Sequence, residues 1–248
     1  MEVDANPDMP NFTTEVLSQP KSSVHAIIFD FDYTLADSSS GVIACFNFAF
    51  NRLGLPLADD AMIRQTIGLT LHDALVMLGG KEYTRYTDEF TRLFMERADE
   101  IMADNTQLFD VVPETIAALR DLGIRLGIFS LKYRYRIETV LKREHLLDAF
   151  EVIIGAEDVS EHKPNPKGLL VAMERLNCVR QNCLYVGDSV TDAKTAERAD
   201  TSFIAVLSGV TPQTVFEDYD VYAILEDVSG LLDLELLASS QARSPNAK

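Results

Sequence analysis

The chain has 248 residues, 47% of them hydrophobic, enough for one α/β domain of about 150 residues plus a smaller one. Acidic residues outnumber basic ones 39 to 22, a formal net charge of −17, which argues against a surface for nucleic acid or for an anionic membrane. The three cysteines, Cys45, Cys178 and Cys183, are odd in number and lack zinc-site spacing, which fits a reducing, cytoplasmic compartment.

Residues 1–23 are expected to form a loose tail, because they lack the basic-then-apolar pattern of a secretory leader. No apolar run approaches the roughly 18 residues of a membrane span, so a soluble protein is expected. The stretch from His25 to Phe29 is β-prone and runs directly into Asp30 and Asp32. In a strand, residues i and i+2 share a face, so the two carboxylates are expected to converge on one spot. Their repulsion needs an offsetting charge, and a hard cation such as Mg²⁺ supplies it.

Residues 41–107 read as all-helical. Phe46, Phe50 and Leu53 mark one helix, and Phe90, Leu93, Phe94, Ala98, Ile101 and Met102 keep the 3.6-residue period of another. Spliced in directly after the first strand, this insertion is expected over the carboxyl ends of the sheet, where open α/β folds bind ligands. A lid is one reading and a plain accessory domain the other. A lid implies opening and closing about the linkers near 38–41 and 108–112.

After about residue 105, strands and helices alternate in the pattern of a covered parallel sheet. Strands are expected at 124–129, 150–154, 183–186, 203–207 and 221–225. Pro113 opens a helix that Gly123 closes, and Leu169, Leu170, Met173 and Leu176 mark another. Polar groups follow three of the strands: Ser130, then Lys163 within Glu161-His162-Lys163-Pro164-Asn165-Pro166, then Asp188 and Asp192. Taken singly, Ser130 reads as a turn residue, Lys163 as a solvated charge, and Asp188 and Asp192 as helix-capping acids. Capping does not account for their order at successive strand ends. Residues 238–248 have a disordered composition.

Together these residues resemble the haloacid dehalogenase superfamily. Asp30-Phe31-Asp32-Tyr33-Thr34-Leu35-Ala36-Asp37-Ser38 is similar to that family's first motif, D-x-D-G-T-L-x-D-S, and Ser130, Lys163-Pro164-Asn165-Pro166 and Gly187-Asp188-Ser189 with Asp192 are similar to the other three. Within the superfamily, the likeness is to the phosphoglycolate phosphatase and pyrophosphatase branch. The resemblance implies an α/β fold, a Rossmann-like three-layer α/β/α parallel-sheet core (24–40 and 108–237) with an inserted all-helical cap (41–107). It also implies a Mg²⁺-dependent phosphatase acting on a small phosphorylated metabolite, with Asp30 as nucleophile and Asp32 as acid and base. Thr34, Ser130 and Lys163 would bind phosphate. The metal would be held by Asp30, Asp32 through its backbone carbonyl, Asp188 and, in support, Asp192. A monomer or homodimer is expected.

Three departures stand out: Tyr33 replaces the motif's glycine, Leu131 a frequent asparagine, and Asp200 a frequent glycine. Tyr33 removes the freedom of positive φ at that turn and puts a ring beside the nucleophile. Ile67-Gly68-Leu69-Thr70-Leu71 resembles the cap's specificity loop, and Tyr33, Arg64, Gly68, His72 and Lys132 are the residues expected to choose the substrate. Pyrophosphatase, nucleotidase and phosphosugar mutase chemistry remain open, as does a catalytically silent binding protein.

Overall fold

The structure is a computed structural model and describes residues 24–238, so the expected tail 1–23, and all of 238–248 but Ala238, lie outside the described residues. No described helix is long and apolar enough to cross a membrane.

The chain enters through strand β1 (Ala26–Phe29) and β2 (Ala36–Asp37), then runs through helices α1 (Ser39–Leu53), α2 (Asp60–Arg64), α3 (Leu71–Gly79) and α4 (Thr87–Ile101) before β3 (Gln107–Leu108). From there it alternates: α5 (Val112–Asp121), β4 (Arg125–Phe129), α6 (Arg134–Arg143), β5 (Val152–Ile154), α7 (Lys167–Arg175), β6 (Cys183–Gly187), α8 (Val190–Ala199) and β7 (Ser202–Val206). It closes with α9 (Gln213–Phe216), β8 (Ala223–Leu225) and α10 (Glu235–Ala238).

Six strands form one sheet in the order β5-β4-β1-β6-β7-β8, every neighbouring pair parallel. Side-chain alternation along β1 assigns its residues to two layers. Ile27 and Phe29 pack with Ile116 and Leu119 of α5 and with Ile137 and Val140 of α6. Ala26 and Ile28 pack with Leu169 and Met173 of α7 and with Ala193 and Ala196 of α8. Both faces are therefore dry, which is why the strands read as continuous apolar runs. The strand expected at 150–154 is shorter, because a 3-10 turn at Leu147–Ala149 precedes it and Phe150 instead packs edge-on against Phe29 at 6.4 Å. Pro113 stands in the first turn of α5, and Gly123 takes φ +78° just beyond it.

Helices α1–α4 build a separate core. Val42, Cys45, Phe46, Ala49 and Phe50 of α1 interlock with Phe90, Leu93, Phe94 and Ala98 of α4, and the Phe46 and Phe90 rings lie 5.1 Å apart. Each such buried phenylalanine contributes about 1.5–3 kcal/mol. Sequence periodicity does not reveal α2 and α3, which are short and start at side-chain caps: Asp59 accepts from the Ala61 N–H, and Thr70 from the Asp73 N–H.

The two chain crossings into and out of this helical unit pair as an antiparallel ribbon, Ala36 opposite Leu108 and Asp37 opposite Gln107. A second attachment runs through α6. Arg143 donates to the Ala103 and Thr106 carbonyls (2.7 and 2.6 Å), while Arg136 pairs with Asp99 of α4 at 2.6 Å and Tyr135 also donates to that carboxylate. The helical unit thus lies over the carboxyl edge of the sheet.

Candidate active site

Strand β1 ends at Phe29, and its ladder continues one step, the Asp30 N–H donating to the Val186 carbonyl at 2.8 Å. Beyond that point the backbone turns. Tyr33 adopts φ +60°, its N–H bonds the Ala36 carbonyl, and Asp32 forms an isolated bridge with Ala36. Both carboxylates line one cavity, but each contacts a different lysine. Strand alternation does not extend to Asp32, because the segment beyond Asp30 is a turn.

Asp30 faces the β6 side. Lys163 Nζ lies 2.8 Å from Asp30 Oδ1 and 2.8 Å from Asp192 Oδ1, and all three side chains are buried. Asp30 Oδ1 is a buried oxygen whose one close neighbour of opposite charge among the described residues is Lys163. Lys163 sits over the rings of Phe129 and Tyr185, 5.0 and 5.3 Å from their centroids. Burial works against its charge, but Asp192 and Asp30 more than compensate and raise its pKa.

Asp32 is held by a different set of partners. Its Oδ1 accepts from the Ser38 hydroxyl at 2.7 Å and from Lys132 Nζ at 2.9 Å, and Lys132 also reaches Oδ2 at 3.2 Å. Lys132 is itself buried, and its backbone N–H donates to Ser130 Oγ at 3.2 Å. Lys132 therefore stands on the Asp32 carboxylate itself.

Asp188 leaves β6 one residue past its end, and Asp192 lies in the first turn of α8, where Ser189 and Asp192 form a reciprocal capping box. Asp192 is fully engaged: Oδ1 accepts from Lys163 and the Tyr185 hydroxyl at 2.8 Å each, and Oδ2 from the Ser189 hydroxyl at 2.5 Å and N–H at 3.2 Å. Asp188 accepts a longer bond from Thr34 at 3.3 Å. The loop after β7 crosses so close to Asp188 that a Cβ on Gly209 would collide with its carboxylate.

Oxygens of Asp30, Asp188 and Asp192 lie within 4.8 Å of one another, all buried. Burial and mutual repulsion push Asp188 well above the usual carboxylate range. Burial, only partly offset by Lys163, raises Asp30 from 3.8 to about 6. Oxygen-only donors, more negative charge than Lys163 balances, and an unused lone pair on Asp30 fit a hard divalent cation.

A cavity of about 420 Å³ opens between this floor and the helical unit, lined by Asp30, Asp32, Ser130, Lys132 and Lys163 below and by Gly68 and His72 above. Thr34, Tyr33 and Arg64 do not line it. Thr34 is fully buried against Asp188, and Arg64 donates to the Ser39 hydroxyl at the start of α1. Tyr33 is packed at the base of the helical unit; burial raises its phenol pKa, with Arg64 and Ser39 opposing, and its carbonyl accepts from Ser208 at 2.6 Å. It takes up the left-handed conformation despite its Cβ, as does Asp200 at φ +55°. The expectation that losing glycine removes positive φ there is corrected: burial of the ring holds the turn. His72 reaches the cavity with Nδ1 3.3 Å from Thr87 Oγ1. Sequence reasoning passed over Ser38, Tyr185, Gly209 and Arg136. Ser38 carried a signal as the closing serine of the first motif, and Arg136 as a cation placed with Arg134 in the first turn of a helix, where the dipole favours acids.

Residues 27–206 match the family model for haloacid dehalogenase-like hydrolases. The chain belongs to the haloacid dehalogenase-like hydrolase family. Among solved structures, it is similar to a haloacid dehalogenase-like hydrolase from Bacteroides fragilis, 41% identical with a TM-score of 0.81, over 84% of this chain and 99% of that one. Among characterised relatives, it is 29% identical over 184 residues to a phosphoglycolate phosphatase of Xanthomonas campestris pv. campestris, spanning 74% of this chain and 83% of that protein. It is 26% identical over 211 residues to the pyrophosphatase PpaX of Bacillus mycoides, spanning 85% and 96%. This haloacid dehalogenase-like hydrolase is an enzyme of the phosphoric monoester hydrolase type.

Proposed function

We propose that the enzyme is a Mg²⁺-dependent phosphatase that hydrolyses a small phosphorylated metabolite through an aspartyl-phosphate on Asp30. The observation that carries this reading is the buried Asp30 carboxylate, set at a strand end with Lys163 at 2.8 Å and facing a cavity shared with Asp32. Asp30 attacks phosphorus, and the bond to the leaving oxygen breaks as that oxygen takes a proton from Asp32. Asp32 then removes a proton from water. The resulting hydroxide displaces Asp30 from phosphorus, releasing phosphate and restoring the carboxylate.

Lys163 and Ser130 receive the phosphoryl oxygens, and Lys132 adds positive charge beside Asp32, where negative charge develops on the leaving oxygen. Asp30, Asp188 and the Asp32 carbonyl would hold Mg²⁺, which supplies charge neutralisation at the phosphoryl group. Asp192, its oxygens taken by Lys163, Tyr185 and Ser189, supports the site from beside it. Thr34 acts by orienting Asp188. The helical unit α1–α4 acts as the cap that excludes water during attack.

The relatives' names supply the first substrates to try, phosphoglycolate and pyrophosphate. Phosphate release should depend on Mg²⁺ and fail with EDTA, and turnover in ¹⁸O-labelled water should place one labelled oxygen in the phosphate. Unimpaired turnover by Asp30→Asn would end this reading.

A further inference from the structure

The phosphatase reading leaves the leaving group open, and the cavity wall speaks to it. Above the polar floor, the cavity is bounded by Val42 and Phe46 of α1, Leu71 of α3, and Phe94 and Met95 of α4, with Met102 just beyond. A cavity of about 420 Å³ falls in the range of roughly 300–1,000 Å³ that takes ligands of drug size. A two-carbon acid such as glycolate would leave most of that apolar wall uncovered.

One cation outside the catalytic group lines the same cavity, Arg136 in the first turn of α6. It is 5% exposed, and its guanidinium carbon lies 5.3 and 5.2 Å from the ring centroids of Tyr133 and Tyr135. One terminal nitrogen pairs with Asp99 at 2.6 Å, with weaker contacts to the Met95 carbonyl and sulfur at 3.4 and 3.6 Å. Its Nε is buried with no hydrogen-bond partner among the described residues. A buried guanidinium donor left unpaired is costly, whereas a planar fork braced beside two rings is preorganised for an oxyanion.

We propose that Arg136 is a specificity-determining residue, and that the substrate's leaving group combines an apolar body, seated on the α1 and α4 wall, with an anionic group received by Arg136. This rests on the phosphatase reading and narrows it. Lys163 and Lys132 are paired with the carboxylates at the reacting end, whereas Arg136 lines the cavity away from them with its Nε unpaired among the described residues.

The test uses three probes with Mg²⁺: 4-carboxyphenyl phosphate, which has both features, phenyl phosphate, which lacks the anion, and phosphoglycolate, which lacks the apolar body. The wild-type enzyme should show its highest kcat/KM with 4-carboxyphenyl phosphate. Arg136→Gln should lower the ratio of kcat/KM for 4-carboxyphenyl over phenyl phosphate by about 10- to 100-fold, the loss of one charge-assisted contact. Intrinsic reactivity cancels, because the same pair is measured in both proteins. Asp99→Asn is the control for a merely structural bridge between α6 and α4, and it should keep the wild-type ratio. An equal fall of the ratio in Asp99→Asn, an unchanged ratio in Arg136→Gln, or a preference for phosphoglycolate overturns the inference while the phosphatase reading stands. If wild-type enzyme releases no phosphate from any of the three, both fall together.

Discussion

Tyr33 offers a stability experiment whose sign follows from the backbone alone. Its φ of +60° is the left-handed region, which costs a residue with a Cβ about 1–2 kcal/mol, while the residue is only 5% exposed. Truncating a large buried aromatic costs about 3–5 kcal/mol. Tyr33→Ala therefore loses the ring and keeps the strain. Tyr33→Gly loses the ring, sheds about 1–2 kcal/mol of strain and gives back about 0.5–1 kcal/mol through the freer unfolded chain. The glycine variant should be destabilised by about 2–4 kcal/mol, a Tm lower by roughly 4–16 °C at 2–4 °C per kcal/mol for a chain of this size. It should nonetheless be about 0.5–1 kcal/mol more stable than the alanine variant, the reverse of the usual order of these two residues. Urea titration of the three proteins measures the difference. If alanine equals or exceeds glycine, Tyr33 does not hold the left-handed conformation and the account of this turn is wrong.

Asp32→Asn should slow phosphate release about 10²- to 10⁴-fold, the usual worth of a placed proton donor, while Asp30→Asn leaves only background, both read by steady-state phosphate assay. Saturating Mg²⁺, at about 100 times its dissociation constant, should stabilise the wild type by about 2.7 kcal/mol in thermal melts; the gain should vanish with EDTA and in Asp188→Asn. Gly209→Ala should push Asp188 out of place and raise the half-saturating Mg²⁺ concentration about 10-fold or more; unchanged Mg²⁺ dependence would mean that the loop yields instead. Asp192→Ala removes the charge facing buried Lys163 together with the α8 capping box, and denaturant curves should show a loss of about 3–5 kcal/mol.

Much of the site was legible because the chemistry is local. Asp30, Ser130 and Asp188 each follow a strand directly, and apolar runs of that length, separated by helical periods, call for a parallel sheet with its ligands at the carboxyl edge. Lys163 was legible only through its motif, since nothing in its neighbourhood tells a solvated lysine from one buried between Asp30 and Asp192.

The sequence by itself determined the alternation of strands and helices in the sheet domain, the helical insertion after β1 and the identities of the groups that follow the strands, because periodicity and strand-end placement depend on neighbours a few residues away. Tertiary structure decided how those groups are shared out. It paired Asp30 with Lys163 and Asp32 with a lysine 100 positions later, and drew Tyr33 and Arg64 away from the cavity while bringing Arg136 into it. These outcomes turn on which buried charges find partners and which ring fills which gap. That competition is resolved only when distant segments pack together.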